Sequence, residues 1–356
     1  MVIKSVAVLG LGKVGRLAAH LLHDLGFKIT GYDARQPREQ LPFDIKTDID
    51  LSSQEAMLGE FGSFDAILSC LPFHLNKIVA TAAHKAGIHY FDLTEDVETT
   101  EAILELSKTA KGLMAPQCGL APGFVGIVGA DLISQFEQCR SCRMRVGALP
   151  QHPAGLLGYA FNWSPEGVVN EYLNDCEVIE EGVRKWVSPM EWHETIYIDG
   201  VKLEAFTTSG GLGTMCDTYL GQVDNIDYKT MRYPGHMQLM NYFFHELLMR
   251  ENRELAGTIL THAKPPVDDD VVYIHVSAEG IIEGRMQRRE FVRGYKPMEL
   301  AGSERTAIAW TTASSVVAVI ELVKKGVLPK SGFLKQEEVP LEAFLLTKTG
   351  SHFVSN

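Results

Sequence analysis

The chain has 356 residues, 46% of them apolar and 22% charged, with a net charge of −12. That size and composition fit two globular domains or one large one, with ample material for a core. The acidic balance argues against nucleic acid or an anionic membrane surface as a partner, and no apolar run reads as approaching the roughly 18 residues that span a bilayer. Met1-Val2-Ile3-Lys4 leads directly into the first predicted strand, so no signal peptide is expected. Six cysteines are scattered, and only Cys139 and Cys142 form a C-x-x-C, with no second pair and no His-x-x-x-His. They read as ordinary thiols, with no metal site, in a reducing cytoplasmic location.

Val6 to Leu9 read as a buried parallel strand that runs into Gly10-Leu11-Gly12-Lys13-Val14-Gly15, a G-x-G-x-x-G followed by helix-forming residues. Gly10 permits the tight turn, Gly12 lets a pyrophosphate approach the backbone, and Gly15 lets helix and strand pack closely. The helix start, with the backbone of Lys13 and Val14, offers N–H groups and a positive dipole end to phosphates. A second apolar stretch ends at Asp33, 18 residues after Gly15, where an acid would accept the adenosine ribose hydroxyls. Asp33 favours NAD, because a carboxylate there repels a 2′-phosphate. Arg35 could instead receive that phosphate, so NADP stays open.

Strand and helix alternate up to about residue 122. Candidate strands lie near Ile45, over Phe64 to Pro72, Ile88 to Leu93 and Leu113 to Ala115. Candidate helices cover Asn76 to Ala86 and Thr99 to Ala110. This is the pattern of a doubly wound parallel sheet. Ligands in such sheets sit beyond the carboxyl ends of the strands, here Gly10 to Gly15, Asp33, Ser69 to Pro72 (Ser69, Leu71 and Pro72 among them), Asp92 to Asp96 and Gln117 to Gly123. Asp92, Glu95 and Asp96 put three carboxylates on that rim, either as a solvated capping loop or beside a cationic substrate. The Pro/Gly cluster Gly119-Leu120-Ala121-Pro122-Gly123 marks a plausible boundary.

Beyond it, a helix over Phe124 to Gln135 precedes a mixed α+β half with a largely antiparallel sheet. Its predicted strands are Arg143 to Gly147, Tyr159 to Trp163, Thr195 to Ile198, Leu203 to Thr207 and Val271 to Val276, with helices over Pro165 to Leu173 and Met237 to Arg250. Ala307 to Lys325 is a long helix, closed by Gly326, that would pack back on the first domain. The expected division is 1–122 with 305–356 as a Rossmann dinucleotide-binding domain, and 123–304 as an inserted α+β substrate and dimerisation domain.

Two polar stretches in the second half are candidates for chemistry. In Leu157 to Gly167, Ser164 reads as an N-cap before Pro165. Asn162 and Trp163 either face a ligand or fill the core. In Tyr228 to His236, Arg232 can clamp a carboxylate with two parallel hydrogen bonds and His236 can move protons near neutral pH. A surface arginine and a capping histidine are the alternatives. Thr208-Ser209-Gly210-Gly211 can present backbone N–H groups to an anion.

The glycine loop at Gly10 to Gly15, Gly119 to Gly123, Val146 to Pro150, Glu204 to Gly211 and Tyr228 to His236 together resemble the saccharopine dehydrogenase-like family. Within it they are most similar to the lysine ε-dehydrogenases (lysine 6-dehydrogenase). The resemblance implies a Rossmann domain with an inserted substrate domain, a last helix returning to the first domain, NAD or NADP as cofactor, and commonly a homodimer. It implies oxidation of the CH–NH₂ group of a basic amino acid, with lysine at its ε-carbon as the expected substrate. Arg232, with Ser209 and Gly210, would hold the substrate carboxylate, and Asp92, Glu95 or Glu166 the ammonium. His236 is the first candidate for the base, and Glu166 the second. Where the lysine enzymes carry a glycine pair, this chain has Thr94-Glu95-Asp96, and the added charge suits an amine or polyamine. A saccharopine dehydrogenase or a carboxynorspermidine-type imine reductase is the alternative enzyme, and a non-catalytic dinucleotide sensor the alternative of another class.

Overall fold

The computed structural model describes residues 3–37, 40–51 and 53–355. The chain forms two compact units, one of residues 1–127, 299–303 and 309–356 and one of residues 128–298 and 304–308.

The first unit holds a parallel sheet of seven strands. Their order is Gly332–Phe333, Leu113–Ala115, His89–Phe91, Ala66–Ser69, Ser5–Leu9, Lys28–Tyr32 and Asp44–Lys46. The central strands are apolar over Val6 to Leu9 and Ala66 to Leu68 because both faces are covered. Ala7, Leu9, Ile67 and Tyr90 pack with Val79 and Ala83 of the helix Phe73–Ala86 and Ile103 of Val97–Ser107. The order reverses beside Ser5–Leu9, which is the switch point where a doubly wound sheet opens to a ligand. The helix Phe73–Ala86 starts three residues earlier than the sequence pattern indicates. Pro72 serves as its N-cap, and Gly87, at φ +71°, closes it in the left-handed conformation that only glycine adopts freely.

Ala307–Lys325 forms the expected helix, with Lys324 and Lys325 in its last turn. Its 19 residues and mean hydropathy of 1.4 are enough, by length and composition, to cross a membrane, contrary to the expectation that no run is long enough. In the fold 83% of the apolar window is buried, as in the core helix of a globular unit.

The second unit is built on an eight-stranded mixed sheet. The main path runs Glu194–Ile198, Val201–Thr207, Asn225–Arg232, Gln138–Pro150, Asp270–Ile282 and Arg285–Tyr295, with Cys176–Glu180 and Val183–Val187 pairing off it. All pairs are antiparallel except Asn225–Arg232 with Gln138–Pro150. One face carries the apolar core, with Phe206, Met231, Tyr172, Phe244 and Leu260 among its members.

Two predicted elements differ. Tyr159 to Trp163 is a loop, held by Phe161 N–H to the Lys264 carbonyl and Asn162 N–H to the Ala160 carbonyl. Its alternation arises because Tyr159 and Phe161 plug the core. The helix expected over Met237 to Arg250 is α-helical only from His236 to Asn241. A π-turn at Tyr242–Glu246 and a short 3₁₀ turn at Met249–Glu251 follow, on either side of Leu248 at φ +57°. Within the wide turn Phe244 is buried against Tyr172.

Candidate active site

In the first unit the glycine loop is shaped by contacts that exclude side chains. A Cβ on Gly15 would lie 1.9 Å from the Gly10 carbonyl oxygen, and one on Gly10, at φ +85°, would lie 2.8 Å from that of Cys70. A Cβ on Gly12 would meet nothing within 4 Å. Gly12 is the N-cap of the helix Lys13–Asp24, which has no side-chain cap and no acid in its first turn. Open space in front of a bare helix start is what a pyrophosphate needs, so the residues present fit a dinucleotide.

Asp33 sits where the acid was expected, but both its oxygens serve the backbone. Oδ2 accepts from Leu11 N–H at 2.7 Å and Oδ1 from Arg35 N–H at 2.9 Å. The carboxylate thus ties the glycine loop to the turn after the second strand. Arg35 itself is exposed. Ser69 is buried and donates to Asn76 Oδ1 at 2.7 Å, so its hydroxyl is spent inside the fold. Leu71 is half-buried and Pro72 exposed at the end of the same strand.

The three carboxylates on the rim have separate environments. Asp96 caps the helix Val97–Ser107, accepting from Thr99 N–H and Oγ1 at 2.8 and 2.6 Å. Asp92 is fully buried and accepts from the Tyr90 hydroxyl at 2.7 Å and from the N–H groups of Thr94 and Gln117 at 3.0 and 2.9 Å. Burial raises its pKa to about 6 against the pull of those donors. Glu95 is half-buried, and its carboxylate pairs with no other residue among those described. Burial, with the nearby charges of Asp96 and Asp92, raises it to about 7.

In the second unit Arg232 ends the strand Asn225–Arg232 and is 2% exposed. Its guanidinium lies over the rings of Tyr159 and Tyr172, 4.7 and 5.6 Å from their centroids. Nε donates to the Tyr172 hydroxyl at 2.7 Å, and Nη1 to the Met231 carbonyl at 2.9 Å and to Thr230 Oγ1. Nη2 has no hydrogen-bond partner among the described residues. No carboxylate there forms an ion pair with Arg232, although the buried Glu171 is near enough to favour its charge. The other deeply buried guanidinium, Arg145, is spent on Glu194 and Asp227.

His236 does not have the environment of a base for neutral pH. It is 1% exposed. Nδ1 lies 3.0 Å from the Leu157 carbonyl, which can only accept, so Nδ1 carries the proton. Nε2 then takes the hydrogen of the Tyr172 hydroxyl at 2.9 Å. Burial and the Arg232 charge lower its pKa to about 3. The imidazole is neutral with its lone pair occupied, and it orients Tyr172, which in turn orients Arg232.

The remaining expected site residues are engaged in different ways. Asn162 Oδ1 accepts from Val267 N–H at 2.8 Å, and Trp163 donates to the Tyr159 hydroxyl at 3.3 Å, so both hold the walls in place. The Ser209 N–H is committed to the Glu171 carbonyl, which takes one donor from the expected anion cradle. Gly210 is at φ +82°, and at Gly211 a Cβ would lie 2.3 Å from the Tyr228 ring. Those glycines therefore answer to backbone and packing constraints. Thr208 Oγ1, beside them, is buried with no hydrogen-bond partner among the described residues. Glu166 is exposed in the first turn of Pro165–Leu173, where a negative charge suits the helix dipole. Glu204, read only as part of a motif, accepts from Gly235 and Met237 N–H at 2.9 and 2.7 Å and seats the helix that carries His236. Tyr159, Tyr172 and Glu171 were not anticipated, since aromatic and helical spacing alone marks them as core.

Among the described residues no group of three or more His, Cys, Asp or Glu could hold a metal ion. All six thiols are free.

Fold and glycine cradle together define a dinucleotide-binding protein of Rossmann type with a second, mixed-sheet unit. Residues 6–115 match the family model described as the saccharopine dehydrogenase NADP binding domain, and residues 119–348 match the saccharopine dehydrogenase C-terminal domain. The chain belongs to the saccharopine dehydrogenase family. It is 25% identical over 74% of its length to the mitochondrial alpha-aminoadipic semialdehyde synthase of Mus musculus, of which it covers 30%. It is 24% identical over 67% of its length to the NADP(+), L-glutamate-forming saccharopine dehydrogenase of Pyricularia oryzae, of which it covers 57%. The chain thus spans well under two thirds of these curated relatives. The fold is that of the apo saccharopine dehydrogenase (L-Glu forming) from Saccharomyces cerevisiae, with a TM-score of 0.73, 16% identity and 94% of each chain covered.

Proposed function

We propose that the chain is an NAD(P)-dependent oxidoreductase that acts on the CH–NH bond of an amino acid of the lysine type. The observation that carries this reading is Arg232, a buried guanidinium held by two tyrosines and, among the described residues, in no ion pair with a carboxylate. Such a group is built to receive a carboxylate from outside the protein. One clamp of this kind suits a substrate with a single α-carboxylate, which favours lysine. The names of the relatives support saccharopine as a second reading.

The dinucleotide, when bound at the glycine loop, exchanges hydride with the substrate carbon. The chain's own residues do the rest. Arg232 orients the α-carboxylate, and Tyr172 with His236 keeps the guanidinium fixed. Glu95, with a pKa of about 7, is the group suited to take the ammonium proton and to return it. Asp92 supplies negative potential on the same rim. Arg35, exposed beside Asp33, is suited to a 2′-phosphate, and the description of the matched domain favours NADP over NAD. A homodimer, from the family resemblance, and a cytoplasmic location, from the scattered cysteines, remain part of the proposal.

The test is reduction of NADP⁺ and NAD⁺ with lysine and with saccharopine. Turnover of lysine at the higher kcat/KM supports the first reading, and turnover of saccharopine alone replaces it with the second. Tight dinucleotide binding with no turnover of either would leave a sensor.

A further inference from the structure

The second unit contains a cavity of about 390 Å³ that the proposed chemistry does not use, lined in part by Tyr172, Glu191, His245, Arg250 and Arg253. That volume suits a small metabolite. Its wall is unusual backbone. Met190, in the lining, is a left-handed non-glycine residue at φ +56°, and His245 lies in the π-turn Tyr242–Glu246. Strain and π-turns of this sort collect where a protein holds a ligand.

The charges are arranged for a particular chemistry. Arg253 gives Nη1 to the neutral side-chain oxygens of Asn170 and Asn174, at 2.7 and 2.8 Å, which fix the guanidinium without cancelling its charge. Arg250 Nη1 donates to His245 Nδ1 at 3.0 Å, which leaves the proton of the neutral ring on Nε2. Among the described residues neither arginine has a carboxylate partner. The helix Arg253–Ala263 begins at the cavity, capped by Asn252 and with Glu254 in its first turn. Glu191 is the one acid in the lining.

We infer that this cavity binds a small α-amino acid with two carboxylates, in which Arg250 and Arg253 take the carboxylates and Glu191 takes the ammonium. The site is separate from the Arg232 clamp. The two share only Tyr172, whose hydroxyl accepts from Arg232 while the residue lines the cavity.

Calorimetry on the full chain without dinucleotide, with L-glutamate as probe, tests this. Wild-type protein binds glutamate at one site, and glutarate, which lacks the ammonium, binds about tenfold more weakly. The double variant R250A/R253A weakens glutamate by tenfold or more. Glu191→Gln brings glutamate and glutarate to equal affinity. These side chains are exposed, so circular dichroism should show each variant folded. Arg232→Lys leaves glutamate affinity unchanged, which separates this site from the clamp, and the result does not depend on any turnover. No binding, unchanged affinity in R250A/R253A, or loss of affinity in Arg232→Lys each overturns the inference.

Discussion

Two clusters, one in each unit, treat the protonation of buried groups in opposite ways. In the second, Arg232, Tyr172 and His236 satisfy one another in a chain that ends on the Leu157 carbonyl, and His236 is driven to about 3. No member of that chain is free to change protonation near neutral pH. In the first, Asp92 and Glu95 carry carboxylates pushed to about 6 and 7 because burial is only partly offset by donors. Closed networks hold a shape, and incompletely compensated ones hold a movable proton. On the proposed function, recognition would fall to the second unit and proton transfer to the first.

The largest effect should come from breaking the closed network. Arg232→Ala removes a charge-assisted, geometrically specific clamp, and kcat/KM for the amino acid should fall about 10³-fold, in line with the 2–5 kcal/mol typical of a buried charge pair. Dinucleotide affinity should stay within twofold. Glu171 loses the cation that faces it, so a urea midpoint must accompany the kinetics. Arg232→Lys keeps the charge and should recover part of the loss. Equal loss of dinucleotide binding would show that the residue acts on the fold and not as a clamp.

The open network predicts a pH signature. With Glu95 as base, oxidation should lose rate below about pH 7, where the carboxyl becomes protonated. Glu95→Gln should lower kcat about 10²–10³-fold and erase that limb. His236→Asn should preserve the limb, because its ring does not titrate in that range. A limb that vanished with His236 and survived Glu95→Gln would reverse the assignment.

What was legible in the sequence follows the range of each constraint. Gly10, Gly12 and Gly15 were readable because backbone sterics act over a few residues. Arg232 stood out as a candidate because few other residues can clamp a carboxylate, but whether it was a surface arginine stayed open in the sequence, and it is buried. Its support was not readable, because Tyr159 and Tyr172 lie 73 and 60 residues away in sequence and look like ordinary core aromatics. His236 was misread for the same reason, since local sequence does not show that Leu157 and Tyr172 occupy both ring nitrogens. The strand Arg285–Tyr295 escaped notice because its mostly exposed residues show no apolar face. The loop at Tyr159 to Trp163 mimicked a strand because aromatics recur at every second position, Tyr159, Phe161 and Trp163, with the buried Ala160 and the half-buried Asn162 between them.

Asp92 allows a stability test of the open network. Its folded pKa of about 6 lies above the ordinary carboxylate value of 3.8, so the folded state holds this proton more tightly than the unfolded chain does. The ionised carboxylate then costs stability above about pH 6, and the cost fades as pH falls through that value toward 3.8. Linkage puts it at about 2–3 kcal/mol at neutral pH. Asp92→Asn, whose Oδ1 can keep the Thr94 and Gln117 donors, should be more stable than wild type at pH 8 by up to about that amount, with the gap about halved at pH 5 and closed below about pH 4. A gap that widened toward pH 5 would mean that Asp92 is held below the ordinary range.

The smallest effect concerns the cofactor. Asp33 spends both oxygens on the N–H groups of Leu11 and Arg35, so two donors already temper its charge, and the Arg35 side chain lies exposed next to it. A guanidinium to phosphate contact at an exposed position is worth about 1–1.5 kcal/mol. Arg35→Ala should therefore raise KM for NADP⁺ about tenfold and leave KM for NAD⁺ within twofold, with kcat unchanged for both. Asp33→Asn should relax discrimination only modestly, since the amide oxygen can keep one of the two backbone donors. If Arg35→Ala instead shifts both cofactors equally, the arginine supports the loop and does not read the 2′-phosphate. The preference for NAD that the Asp33 position alone implies would then stand.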